Sequence, residues 1–203
     1  MPVVDAELLV ADAEAWRAWL TKHHASSDGV WLVVWKKASN ASTSLSIADA
    51  LDEALCHGWI DGQRLTRDDG AFMQRFTPRR PHSMWSKRNI SIIARLEQEG
   101  RMQDAGRAEV ARAKADGRWH AAYAGPADMT APDDLVAALD ARPRARAMYD
   151  ILTSQNRFSI SFRVGQAKKP ETRARRIEQF IAQLERGETI HPQRRTMADG
   201  EPT

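Results

Sequence analysis

Residues 56–62 read Cys-His-Gly-Trp-Ile-Asp-Gly and set the only cysteine of the chain beside a histidine, with an aspartate close behind. A Cys–His catalytic pair needs thiolate and imidazole facing each other. Consecutive residues at a helix end instead diverge by about 100° around the axis. The negative end of the helix dipole also disfavours a thiolate. Cys56 therefore reads as a small packing residue, and His57 as a cation suited to a helix C-terminus. Asp61 is harder to dismiss, because aspartate has poor strand propensity. Either it caps a turn, or it is a carboxylate held beside Arg64, Arg75, Arg79 and Arg80. A pair of that kind would be structural, or would fix an arginine for ligand recognition.

The second chemical stretch is Phe-Thr-Pro-Arg-Arg-Pro-His-Ser-Met-Trp-Ser-Lys-Arg-Asn, residues 76–89. Thr77, Arg79, Arg80, Ser83, Ser86, Lys87 and Arg88 are donors suited to a phosphate. A helix opening at Ser83 would add free backbone N–H groups and a positive dipole end. Trp85 offers a stacking face, with Asn89 one turn later on the same side. The residues expected to line a ligand site are thus Asp61, Arg64, Arg79, Arg80, Ser83, Trp85, Ser86 and Asn89. The competing reading is a proline-stiffened loop and a capped helix whose Trp85 packs into the core.

No metal or nucleotide signature accompanies them. His23, His24, His57, His82, His120 and His191 lack ligand spacing such as HExxH. GxGxxG, GxxxxGK[ST] and GxSxG are absent as well. No cofactor is expected, and no metal.

These residues need elements to position them. Helical spacing of Ala15, Trp16, Trp19 and Leu20 predicts a helix over residues 12–23. Val-Trp-Leu-Val-Val-Trp, residues 30–35, reads as a buried strand, and residues 39–44 as a polar loop. Ser46 with Asp49 has the form of a capping box, opening a helix that Gly58 ends in a left-handed conformation. Residues 59–65 and 71–76, joined by a turn at 67–70, form a hairpin. CHGWIDG is therefore first of all a helix-to-strand junction. Trp31, Trp35, Leu51, Leu55, Trp59 and Ile60 are expected in one core.

Further helices are expected from Ser83 to about Glu99, then over 104–114, 133–140, 143–154 and 171–186. The fold class is α+β: a small mixed or antiparallel sheet with helices, followed by a mainly helical C-terminal half. Residues 1–100 would form the α+β portion and 101–188 a helical portion packed on it. Residues 189–203 read as a disordered tail.

Charge is uneven along the chain. Residues 64–118 carry 13 Lys/Arg against 7 Asp/Glu, whereas residues 1–63 carry 4 against 9. The basic middle segment points to an anionic partner, or to a solvated arginine-rich surface. No apolar run reaches the roughly 18 residues of a membrane span. The acidic first residues lack the form of a signal peptide. With one cysteine and no such segment, a reducing cytoplasmic location is the expectation.

The strings ALCHGWIDG (54–62), FTPRRPHSMWSKRN (76–89), DGRW (116–119) and AKKPETRARRI (167–177) resemble the YdeI/OmpD-associated family of bacteriocin-protection proteins. The resemblance runs from about Trp31 to Gly187. It implies protection from a bacteriocin and association with an outer-membrane protein. It supplies no reaction, cofactor or catalytic residue.

Three functions follow as expectations. The first is a cytosolic stress or bacteriocin-protection protein with a pocket for a small anionic molecule, and with a protein partner in a stress or envelope response. The second is an enzyme using Asp61 as general base beside an arginine-lined anion site. The third is nucleic-acid binding through the basic middle segment, against which the acidic first 63 residues would repel a phosphate backbone.

Overall fold

The structure, a computed structural model, describes residues 7–36, 43–125 and 129–196. Of the polar loop expected at 39–44, residues 39–42 lie outside it. The chain forms two compact units, residues 1–122 and 123–203. The fold is α+β, as expected.

In the first unit the order is β1 (Glu7–Leu8), α1 (Ala13–His23), β2 (Val30–Trp35), α2 (Ile47–Cys56), β3 (Trp59–Thr66), β4 (Ala71–Pro78), α3 (Lys87–Gln98) and α4 (Asp104–Ala115). The sheet order is β1-β2-β4-β3, with β1 parallel to β2 and the other pairings antiparallel. It is therefore mixed. Local chemistry sets the element ends. Asp12 caps α1 by accepting from Ala15 N, and Ser46 caps α2 by accepting from Asp49 N. Gly58, at φ +75°, turns the chain from α2 into β3. Asp68 Oδ1 accepts from the N–H groups of Gly70 and Ala71, both at 2.8 Å, and so closes the hairpin turn.

The core lies between one face of the sheet and the helices. Trp16 and Leu20 of α1, Leu51 and Leu55 of α2, Leu32, Trp59 and Phe76 fill it. Trp31 and Trp35 do not belong there. Side chains alternate across a strand, so Val30, Leu32 and Val34 point inward while Trp31 and Trp35 join Val33, Ala71 and Met73 on the opposite face. The first unit also extends past the boundary expected at residue 100. Val110 and Ala113 of α4 sit in its core, and Gly106 brings α4 against the end of α2.

The second unit holds α5 (Asp133–Asp140), α6 (Pro143–Asp150), α7 (Ser154–Gly165) and α8 (Pro170–Glu185) around Leu135, Leu139, Met148, Ile160, Ile181 and Leu184. The helix expected over 143–154 ends at Asp150, and Thr153 then caps α7 by accepting from Asn156 N. α7 is not evident in the sequence. Its Phe158, Ile160, Phe162 and Val164 recur every second residue, the period of a strand.

Residues 189–196, expected to begin a disordered tail, have no regular secondary structure yet dock on this unit. Fully buried Asn156 donates to His191 O at 3.0 Å and accepts from His191 N at 2.8 Å. Gln193 Oε1 accepts from Thr153 N at 3.1 Å. Residues 197–203 lie outside the described residues. No helix among the described residues is long and apolar enough to cross a membrane.

Candidate anion-binding site

The chain leaves β4 at Pro78, and Arg79 N donates to Gly58 O at 3.0 Å, joining the two ends of the 58–79 hairpin. Arg79 is buried, with its guanidinium carbon 3.6 Å from the centroid of the Trp85 ring and Nη1 donating to Met84 O at 3.1 Å. The next residue, Arg80, is exposed. Two prolines and two arginines thus do not form a joint clamp. One arginine is part of the core wall, and the other faces solvent.

α3 begins three residues later than expected. Ser83 Oγ instead accepts from Arg80 N at 3.0 Å and closes a turn. Ser86 is the N-cap, accepting from Asn89 N at 3.1 Å. The chain stays extended between them because Trp85, only 1% exposed, must reach the core. Trp119 packs on it with ring centroids 4.9 Å apart, and Arg118 Nη1 donates to Ser83 O at 2.7 Å.

The first turn of α3 therefore gathers Arg79, Trp85, Ser86 and Asn89. Trp85 Nε1 is buried with no hydrogen-bond partner among the described residues. Asn89 is buried too, and among the described residues its bond to a side chain is the one its backbone N–H donates to Ser86 Oγ. Around this turn Arg80, Lys87 and Arg88 are exposed and form no ion pair among the described residues. Free N–H groups at the first helical turn, a positive dipole end and three cations suit an anion.

The hairpin residues stand apart from this group. Asp61 is exposed, and its carboxylate makes no ion pair among the described residues. Arg64 is exposed, lies 4.2 Å over the Phe72 ring, and donates from Nε to Gln74 Oε1 at 3.0 Å. The cause is a β-bulge between Asp61 and Arg64. Buried Gln74 fills it, donating from Nε2 to Gly62 O at 2.9 Å. Arg64 is thereby recruited by an amide instead of by Asp61. The arrangement of a general base among arginines is not assembled.

Cys56 is buried, and burial pushes its thiol up to about 11. That agrees with a packing role. His57, expected as a cation, is buried as well, with Nδ1 2.9 Å from Glu53 O and Nε2 3.3 Å from Thr21 Oγ1. Burial lowers its pKa, so the ring is neutral at pH 7.

Sequence reasoning missed the adjacent acids Asp52 and Glu53 of α2. Both are buried, and Glu53 receives Arg17 Nε and Nη2, each at 2.8 Å, and Arg101 Nη2 at 2.6 Å. Arg95 Nη2 donates to Asp52 at 2.6 Å. Burial pushes the Glu53 carboxyl up, but the hydrogen bonds from Arg17 and Arg101 together pull it below its ordinary value. Every charge in this cluster has a partner, which marks it as a structural network. The available signal was two adjacent acids in the middle of a helix that, apart from Asp49 in its first turn, is otherwise apolar.

Residues 8–109 match the family described as a domain of unknown function, DUF8412. Residues 128–187 match the family described as bacteriocin-protection, YdeI or OmpD-associated. Searches among curated proteins and among solved structures return no match. The YdeI/OmpD-associated likeness thus holds for the second unit, where the string at 167–177 lies. The strings at 54–62 and 76–89 fall in the first match, and 116–119 falls in neither. The chain belongs to the DUF8412 family through its first unit and carries a YdeI/OmpD-associated domain in its second.

Proposed function

We propose that the first unit is a non-catalytic binding module for a small anionic molecule, held at the first turn of α3. The observation that carries this reading is the Trp85 indole N–H, buried with no hydrogen-bond partner among the described residues, beside buried Asn89 and the exposed cations of this turn. A buried donor of this kind costs about 1–3 kcal/mol when unsatisfied, so a ligand that bonds to it is favoured. Lys87 and Arg88 would meet its charge, and Arg79 would hold Trp85 in place without touching it. The family matched by the second unit is described as bacteriocin-protection, YdeI or OmpD-associated, and that description supports a role for the whole chain in bacteriocin protection.

The test is calorimetric titration of the full chain with inorganic phosphate and with acetate. Lys87→Ala/Arg88→Ala and Asn89→Leu should each weaken binding about tenfold, the loss of one charge-assisted hydrogen bond. Undiminished affinity in both variants overturns the reading.

A further inference from the structure

A second strongly basic stretch lies outside the site just described. Residues 154–176, comprising α7, the following turn and the start of α8, carry seven Lys/Arg against the single acid Glu171. Three of the seven are engaged locally. Arg157 donates to the carbonyls of Leu152 and Asp150 at 3.1 and 2.9 Å. Arg173 binds the Asp134 carboxylate through Nε at 2.5 Å and Nη2 at 2.8 Å. Arg176 Nη1 donates to Arg163 O at 2.6 Å, closing the C-terminal turn of α7. Arg163, Lys168, Lys169 and Arg175 remain exposed, without an ion pair among the described residues.

Of these, Arg163 lines an open groove of about 370 Å³ between α7 and α8, together with Phe162, Gln166, Arg176, Gln179 and Phe180. Phe162 stacks on Phe158 with centroids 5.4 Å apart, and meets Tyr123 edge-on at 4.9 Å. The lining therefore combines a braced aromatic ring, two guanidinium groups and two neutral amides, and contains no carboxylate.

We propose that this groove binds single-stranded nucleic acid. An aromatic platform takes the face of a base, whatever its identity. The Gln166 and Gln179 amides offer donors and acceptors to its edge, and the cations track the neighbouring phosphates. An acidic peptide would use the cations but leave the ring and the amides idle. A duplex keeps its bases stacked and cannot deliver one into a groove of this size.

The full chain is titrated, by fluorescence anisotropy, into a labelled oligothymidylate of about a dozen nucleotides, a length comparable to known single-strand sites. Affinity should fall with salt. Lys168→Ala/Lys169→Ala should flatten the logarithmic salt dependence by about 0.7 per lost contact. Arg163→Ala and Gln179→Ala should weaken binding severalfold, and Phe162→Leu about tenfold with an unchanged salt dependence. Phe162 also packs on Phe158, so if that variant melts early, exposed Arg163 and Gln179 carry the result. Lys87→Ala/Arg88→Ala should leave oligonucleotide affinity intact, keeping this site distinct from the one at α3. Duplex binding as tight as single strand overturns the proposal. So does equal competition by polyglutamate, or indifference to both Arg163→Ala and Gln179→Ala.

Discussion

Arg79 and Trp85 form one stacked pair inside the first unit, guanidinium carbon to ring centroid at 3.6 Å, and both are buried. Arginine stacks well because its planar, weakly hydrated cation tolerates desolvation against an aromatic face. The pair closes the wall on which α3 begins. Substitution should therefore act on stability before it acts on binding. Arg79→Ala should cost about 2 kcal/mol, and Trp85→Ala about 3–5 kcal/mol, in denaturant unfolding. A fully stable Arg79→Ala protein would place the arginine outside the wall.

Glu53 is the acid on which Arg17 and Arg101 converge. Glu53→Gln should leave two guanidinium groups facing a neutral amide and cost about 3 kcal/mol. The pH dependence follows from the sign of the shift. A carboxyl held below its ordinary value contributes its full stability above the unfolded pKa of about 4.3, and loses it as pH falls through the lower folded value. Acid titration of the melting temperature, wild type against Glu53→Gln, should show the difference shrinking below that point.

His57 acts in a neighbouring window. Its folded pKa is lowered by burial, so protonation favours the unfolded chain. Stability should be complete above about pH 6.5 and decline as pH falls from there through the folded pKa. His57→Asn should remove this slope, read as the difference between two urea midpoint profiles. Identical profiles would mean that the ring titrates freely in the folded state.

Cys56, with a pKa of about 11, should be almost unreactive in the folded protein at neutral pH. Iodoacetamide should label it only after denaturant is added. Rapid labelling of the native chain would show that the end of α2 opens.

Gly106 permits a close approach of α4 to the backbone at the end of α2. A Cβ there would collide with the backbone oxygen of Cys56. Backbone cannot move aside as a side chain can, so Gly106→Ala should separate α4 from α2 and cost more than about 2 kcal/mol. Thermal unfolding gives the measure.

Much of the first unit is legible in the sequence because its signals are local. Capping serines, a left-handed glycine and a six-residue apolar run each act within a few residues. What escaped was decided across longer distances. The face that Trp31 and Trp35 take depends on which side of the sheet the helices cover, and no window containing only β2 holds that information. Ser83 and Ser86 are equally good caps in isolation, and the burial of Trp85 chooses between them. Asp61 looked destined for an arginine until the bulge placed Gln74 beside Arg64. α7 was hidden because its apolar residues follow the period of a strand, whereas packing against α8 holds them in a helix. Of the site, the basic residues and Trp85 could be read directly. The separation of Arg79 from Arg80 could not.

The family match in the second unit stops at residue 187, but Asn156 does not recognise that boundary. Its amide donates to the backbone C=O of His191 and accepts from the backbone N–H of the same residue, and Nδ2 also donates to Gln193 Oε1 at 2.9 Å. A chain ending at Gly187 would leave this fully buried amide with Thr153 Oγ1 as its one remaining partner. Similarity and self-sufficiency therefore diverge here. The smallest autonomous piece of the second unit reaches at least to Gln193, and because Asn156 holds residue 191 by its backbone, replacing His191 should cost only its ring contact with Ser159 Oγ, whereas deletion removes the whole clasp.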